Sequence, residues 1–164
     1  MDKNTERANK ERILALVGKR VRAINFARTR RTTFYTREKP IWIEFVHLHK
    51  FTFGPEFRAH LGIRILNDPT PHVALNGPAF APNAGSQYCF SYDQGAESLE
   101  KCAVGISEWV REFGQPWFLK WQQPRDLLEA EDSPLSDTAK AGLRDALANK
   151  TSSIFVDISR DVLL

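Results

Sequence analysis

The sequence contains no apolar run that approaches the roughly 20 residues needed to cross a bilayer. Its N-terminal segment, residues 1–12, is polar and charged, so it lacks the apolar core of a secretory signal peptide. Only Cys89 and Cys102 are present, which is too few cysteines for a disulfide framework. These absences predict a cytoplasmic protein without membrane contact, whose two thiols are reduced and buried; a single disulfide between them is the alternative.

Motifs that carry common enzyme chemistry are also missing. The chain has no glycine-rich phosphate loop, no nucleophile elbow and no zinc-ligand spacing. Glu44 lies in a strong strand pattern, but no second acid or lysine stands two residues away, as a metal-dependent nuclease would need. The sequence therefore predicts a protein without enzymatic activity, cofactor or metal. An enzyme of unrecognised type is the alternative, with His47, His49, Glu44 and Cys89 as the groups to inspect.

The chain does contain enough apolar material for a folded core. It has 164 residues, of which 42% are hydrophobic, and this suits one domain over residues 1–164. A helical pattern comes first, a run of strand patterns follows, and helices return near the end. Segregated elements of this kind predict an α+β fold with an N-terminal helix, an antiparallel sheet of about four to five strands and C-terminal helices packed on the sheet.

Apolar residues at helical spacing predict two long helices. The first covers about residues 5–23, with Ile13, Val17 and Val21 on one face. The second covers about residues 96–113, and its buried stripe is predicted to consist of Leu99, Cys102, Ala103, Ile106, Val110 and Phe113. Gly114 is expected to end this helix and Pro116 to prevent it from resuming.

The last part of the chain predicts one more helix and a docked tail. Ser136 is a good N-cap for a helix that runs to about Asn149, with Leu143 and Leu147 facing inward. The tail, residues 154–164, is apolar enough to dock as a strand or extended segment. Residues 136–164 are expected to be peripheral to the rest of the domain.

Strand patterns fill the middle of the chain, over residues 32–36, 41–51, 57–66 and 87–92. The link 52–56 is short and contains Gly and Pro, so the second and third of these strands should form a hairpin. Residues 67–86 are rich in Pro, Asn and Gly. They predict a long surface connection with a short strand at 72–75.

Three histidines fall in the two central strands and suggest a metal site. His47 and His49 share one face of their strand, and His60 lies in the next strand. If the odd-numbered apolar residues of both strands face the core, then His60 lies on the opposite side of the sheet from His47 and His49. No cysteine or carboxylate accompanies His47 and His49 on their face. The pattern predicts hydrogen-bonded imidazoles at the sheet margin rather than a metal site.

Positive charge is concentrated near the end of the first helix. Between residues 17 and 37 there are seven bases and no acid, and the candidate binding residues among them are Lys19, Arg20, Arg22, Arg28, Arg30 and Arg31. Such a segment can bind phosphate, with Phe26, Phe34 and Tyr35 stacking on bases. It can instead steer an acidic protein partner, or simply be a solvated helix end. Between residues 126 and 137 the bias reverses, with five acids and no base.

Three short patterns resemble the bacterial domain of unknown function 4304 family. They are the basic strand entry Arg30-Arg31-Thr32-Thr33-Phe34-Tyr35, the strand pair Ile41 to Phe45 and Phe57 to Ile63, and the helix end Gly114-Gln115-Pro116-Trp117-Phe118. The resemblance covers about residues 13–128. It implies the fold and brings no known activity or catalytic residues with it.

The missing catalytic motifs and the segregated charge together predict a non-enzymatic binding protein. A protein partner is expected in preference to nucleic acid. An immunity-type or accessory role is expected by analogy with other small α+β proteins. Nothing in the sequence indicates a small-molecule ligand. Nucleic-acid binding through Lys19 to Arg31 is the main alternative.

Overall fold

A five-stranded antiparallel sheet forms the centre of the computed structural model, which describes residues 2–52, 54–78 and 88–164. The strands are adjacent in chain order, and each is antiparallel to its neighbour. They are β1 Ala27–Arg28, β2 Phe34–Glu38, β3 Trp42–Lys50, β4 Glu56–Ile65 and β5 Cys89–Ser91. The predicted α+β class and antiparallel sheet are confirmed.

Helices precede and follow the sheet. They are α1 Lys3–Val21, α2 Ala96–Trp109, α3 Gln115–Lys120, α4 Pro124–Glu129, α5 Asp137–Leu147 and α6 Ser153–Asp161. A 3₁₀ turn, Arg22–Ile24, follows α1, and a π-helical turn, Val110–Gly114, joins α2 to α3. No helix in the described ranges is long and apolar enough to cross a membrane.

The main core lies between one face of the sheet and α1 with α2. The α1 stripe Ile13, Leu14 and Val17 is fully buried, as its spacing predicts. The Tyr35 hydroxyl donates a hydrogen bond of 2.7 Å to the Leu14 carbonyl and thereby ties β2 to α1. From α2 come the buried residues Leu99, Cys102, Ala103, Ile106 and Trp109.

The register of the central hairpin differs from the prediction. Positions paired across β3 and β4 have an odd sum, as in Trp42 with Ile65 and His47 with His60. The even-numbered residues of β3 therefore share the core face with the odd-numbered residues of β4. The prediction failed because β3 is apolar on both faces, so its own sequence does not show which face the helices cover.

A second, smaller core lies on the opposite face of the sheet. It contains Ile43, Phe45, Leu66 and Leu163, and α6 covers it. The prediction that the tail docks as a strand or extended segment was wrong. Its apolar content alone does not distinguish a strand from a helix, but Val156, Ser159 and Leu163 recur at helical spacing and face the sheet together.

The link from α2 to α3 overturns the expectation that Gly114 and Pro116 stop the helix. The Gln115 N–H bonds to the Val110 carbonyl, so a π-helical turn absorbs one additional residue and the helix continues. Pro116 then lies in the first turn of α3, where the fixed φ of proline suits the helix. Phe113 is 46% exposed rather than buried.

Two further local predictions were wrong in the C-terminal part and the long connection. Ser136 does cap α5, since its side chain accepts from the Ala139 N–H, but Leu147 is 47% exposed. Residues 72–75 do not form a strand. Instead the Asn76 side chain bonds to both the N–H and the carbonyl of Ile63, at 2.9 Å each, along the outer edge of β4. The rest of the connection, residues 79–87, lies outside the described residues.

Candidate binding surface

An aromatic cleft lies where β5 meets the end of α2. Tyr88 and Phe90 approach it from the sheet side, and Trp109 and Phe113 approach it from the helix side. The Tyr88 ring centroid is 4.7 Å from that of Trp109 and 6.2 Å from that of Phe113. The cleft has a volume of about 360 Å³, and Cys89, Gly105, Glu108 and Glu112 complete its lining.

Backbone pairing fixes the sheet side of this aromatic cleft. Strand β5 pairs with the start of β4, where Arg58 faces Cys89, and the Ala59 N–H bonds to the Tyr88 carbonyl at 2.9 Å. This register holds Tyr88 against α2. On the helix side, Phe113 follows Trp109 by four residues and belongs to the π-helical turn, a distortion that is frequent at functional sites.

The charges along the cleft are all negative. Glu108 and Glu112 are exposed, lie four residues apart, and form no salt bridge with any described residue. No lysine or arginine is among the described residues that line the cleft. Like charges at this spacing repel each other, although Glu108 also lines the groove that contains the bases Lys19, Arg20 and Arg111.

A buried donor lies beside the cleft. Trp109 is only 5% exposed, and its indole Nε1 finds no hydrogen-bond partner among the described residues. Burial raises the pKa of Tyr88, and the nearby Trp109 indole opposes that rise without reaching hydrogen-bonding geometry. An unsatisfied buried N–H costs about 1–3 kcal/mol, and Nε1 is itself shielded from solvent, so this donor belongs to the packed core beside the cleft.

The basic segment predicted from sequence is divided between two places. Lys19 and Arg20 line a groove of about 390 Å³ between α1 and α2, together with Arg111. Arg20 forms an ion pair there with Glu100. Arg22 is exposed on the 3₁₀ turn that follows α1.

The remaining arginines of the segment lie elsewhere. Arg28 packs beside α1 and bonds to Glu11 at 2.8 Å. Arg30 and Arg31 line a second hollow with Arg160 beside the end of α6, where the Arg31 side chain bonds to the Asp161 carbonyl. Because α1 and α6 cover opposite faces of the sheet, the structure does not bring the six residues into one patch.

The three strand histidines do share a face, contrary to the prediction. The ring centroid of His47 is 6.2 Å from that of His49 and 6.0 Å from that of His60, and it stacks on Phe34 at 4.2 Å. Burial, followed by the neighbouring His60 and His49, lowers the pKa of His47 to about 4. Even so, the described residues contain no group of three or more His, Cys, Asp or Glu that could hold a metal ion.

The cysteines and Glu44 have ordinary structural surroundings. Both thiols are free; Cys102 is buried as predicted, whereas Cys89 is exposed, contrary to the prediction. Burial raises the pKa of both, to about 12 for Cys102, so neither thiol is activated as a nucleophile. Glu44 is fully buried and bonds to the Arg37 guanidinium at 2.5 Å and to Gln122 at 2.7 Å.

No family model, curated protein or solved structure matches the chain. The resemblance to the domain of unknown function 4304 family therefore stays a prediction. The residues that sequence reasoning missed are Tyr88, Trp109 and Phe113. Their apolar character was visible, but Tyr88 and Trp109 are far apart in the chain, so no periodic pattern indicates their contact.

Proposed function

We propose that this protein is a non-enzymatic binding protein of the cytoplasm that recognises a protein partner through the aromatic cleft. One observation carries the proposal. The half-exposed Phe113 lines an open cleft beside a π-helical turn, where it lies next to the buried rings of Tyr88 and Trp109, and charged groups lie only at the rim. Binding hot spots on protein surfaces are enriched in Trp and Tyr set in desolvated pockets and surrounded by polar residues.

The placement of the basic segment supports a protein partner over nucleic acid. A nucleic-acid interface gains most of its affinity from cations that contact the phosphates along one surface. Here Lys19 and Arg20 lie in the last turn of α1, and Arg30 and Arg31 lie beside α6 on the other side of the sheet. Several of these cations are also engaged within the chain, by Glu100, Glu11 and the Asp161 carbonyl.

The proposal is tested by affinity capture from a nuclease-treated extract of the source organism. The wild type is compared with Phe113→Ser and with the control Leu119→Ser, which removes a 66% exposed apolar side chain outside the cleft. Removing a hot spot of about 2 kcal/mol weakens binding roughly 30-fold, so Phe113→Ser should lose the captured protein while Leu119→Ser keeps it. Equal recovery by all three proteins would contradict the proposal, as would a protein that is captured from an untreated extract and not from the nuclease-treated one.

A further inference from the structure

A chemically reactive dipeptide, Asn76 followed by Gly77, is docked against β4. It is the only Asn-Gly pair in the sequence. The Asn76 side chain accepts a hydrogen bond from the Ile63 N–H and donates one to the Ile63 carbonyl, each at 2.9 Å. The Gly77 N–H donates to the Leu61 carbonyl at 3.0 Å. Three hydrogen bonds to buried residues therefore fix this dipeptide on the strand.

An asparagine that precedes glycine reacts with its own main chain. The Gly77 nitrogen, once it has lost its proton, attacks Cγ of Asn76, and the new N–Cγ bond closes a succinimide ring. The Cγ–Nδ2 bond breaks, and the amide nitrogen leaves as ammonia with the proton that Gly77 gave up. A water molecule then opens the ring by adding its hydroxyl to one ring carbonyl and its proton to the ring nitrogen, which yields aspartate or isoaspartate. Glycine favours the attack because no Cβ shields its nitrogen.

The docked geometry engages both reacting groups. The Gly77 proton that must leave is bound to the Leu61 carbonyl, and the Asn76 amide, whose carbon must approach that nitrogen, is held at both ends by Ile63. A Cβ added at Gly77 would lie 2.6 Å from the Leu61 carbonyl oxygen, so the main chain has no room to turn while it is docked. The reaction therefore requires the dipeptide to leave β4 first, in a local opening of the kind that surface connections undergo.

The product of the reaction does not restore the docked contacts. An ionised aspartate accepts hydrogen bonds and donates none. It would place an oxygen against the carbonyl of the buried Ile63, where the Asn76 Nδ2 now donates. Two acceptors that face each other are both left unsatisfied, and docking would also desolvate the charge. Isoaspartate fits no better, because it adds one atom to the main chain before Gly77.

We propose that Asn76 is a modification site that its docking on β4 protects: it deamidates only when the dipeptide leaves the strand, and the modified chain does not dock again. The reaction is irreversible, so it converts a transient opening into a permanent one. It involves no residue of the aromatic cleft and is independent of the proposed function.

The first experiment compares the folded and unfolded chains. Deamidation of the full-length protein is followed by the mass of the proteolytic peptide that contains Asn76, in buffer and in guanidinium chloride at the same mildly alkaline pH. The folded protein should react at least about tenfold more slowly, because the reaction waits for a minor open state. Equal rates in the two states, or no reaction of Asn76 in the unfolded chain, would overturn the inference.

A matched pair of variants tests whether docking sets the rate. Val73 packs against the second core, whereas the nearby Leu75 is 46% exposed. Val73→Ser should speed deamidation of the folded protein by about tenfold, because it loosens the docked segment by the free energy of one apolar contact. Leu75→Ser should leave the rate unchanged. Each rate is divided by that of the same variant when unfolded, and equal ratios for both variants would contradict protection by docking.

Asn76→Asp contains the product side chain from the start and tests the permanent opening. Hydrogen exchange of the Gly77 and Ile63 amides in the ¹⁵N-labelled protein should be at least about tenfold faster than in the wild type. The control Asn4→Asp adds the same charge at an exposed position of α1 and should leave both amides unchanged. If Asn76→Asp protects both amides as the wild type does, the modified chain docks and the inference is wrong.

Discussion

At the scale of single residues, the ionic groups buried in the described part of this protein are held by specific partners. Arg37 shows this best. Its guanidinium bonds to Glu44, to the Ile24 carbonyl and to Gln115, and it stacks 4.6 Å over the Phe26 ring. Each nitrogen of this guanidinium thus forms a hydrogen bond, and removing one partner of such an ion pair destabilises a protein much more than the intact pair stabilises it.

His47 gives a prediction about pH. Its pKa in the folded protein is lowered from 6.5 to about 4, because burial and the nearby His60 and His49 oppose protonation. The unfolded chain therefore binds a proton between about pH 6.5 and 4 that the folded protein does not. The stability contributed by neutral His47 is present above pH 6.5 and is lost as the pH falls toward 4.

The measurement is urea unfolding at pH 7 and at pH 4.5. Wild type should lose more stability between these two values than His47→Phe does, by about 1–2 kcal/mol after allowance for the partial exposure of the imidazole. His72→Gln, which changes an exposed histidine, should follow the wild type. If His47→Phe and wild type lose the same stability, then His47 does not resist protonation in the fold.

The residue scale also shows the limit of strand patterns. Alternation in β4 indicates correctly that Phe57, Leu61 and Ile63 share one buried face. The alternation in β3 is ambiguous because Ile43 and Phe45 on one face are as buried as Val46 and Leu48 on the other. Helix α6 buries Ile43 and Phe45, and the sequence of β3 contains no sign that a C-terminal helix will cover that face.

At the scale of elements, the helices tolerate glycine for different reasons. In α1, a Cβ added at Gly18 would lie 3.5 Å from the Tyr35 ring and 3.7 Å from the Arg28 Cβ, which is ordinary van der Waals contact. In α5, a Cβ added at Gly142 would lie 2.5 Å from the Asn67 carbonyl oxygen. Backbone cannot move away as a flexible side chain can, so Gly142 is required for close packing and Gly18 is not.

Alanine substitutions at these two glycines should therefore have opposite effects. Gly18→Ala should stabilise the protein by up to about 1 kcal/mol, because alanine has the higher helix propensity. Gly142→Ala should destabilise it by about 1–3 kcal/mol through overpacking against the Asn67 backbone. Thermal or urea unfolding of the two variants checks both signs. A stabilised Gly142→Ala would mean that α5 does not pack this closely.

The elements themselves were partly predictable. Local signals place α1, the hairpin of β3 and β4, and the Ser136 cap of α5 close to where they lie, because each depends on neighbouring residues alone. Gly114 and Pro116 were misleading because Gly114 belongs to a π-helical turn that continues into α3, and Pro116 lies in the first turn of α3. Helix α4 was missed because its six residues are too few to show a helical repeat of apolar residues.

At the scale of the whole molecule, the sheet separates surfaces that the sequence places side by side. Lys19 and Arg20 belong to the layer of α1 and α2, and Arg30 and Arg31 belong to the layer of α6. Only the three-dimensional arrangement shows this separation. The same is true of the aromatic cleft, which forms because β5 pairs with β4 and presents Tyr88 to a helix that comes later in the chain.

The separation predicts independent electrostatic contributions. On a heparin column, charge reversal of Lys19 and Arg20 together, or of Arg30 and Arg31 together, should each lower the eluting salt concentration in part. The quadruple variant should show the sum of the two shifts, because distant sites contribute additively. Arg125→Glu serves as a single-charge control at an exposed position. Complete loss of retention in either double variant alone would contradict the separation.

The docking of Asn76 and Gly77 along β4 has a consequence for the protein in a crowded solution. The Asn76 amide bonds to both the N–H and the carbonyl of Ile63, and the Gly77 N–H donates to the Leu61 carbonyl at 3.0 Å. Both contacts lie just beyond the short strand β5. A long strand with open hydrogen-bonding groups would recruit strands from other molecules and begin aggregates. Because the asparagine side chain already bonds to the groups that a neighbouring strand would use, a strand from another molecule cannot pair with β4 at that position. The segment that contains Asn76 and Gly77 therefore protects the protein from self-association.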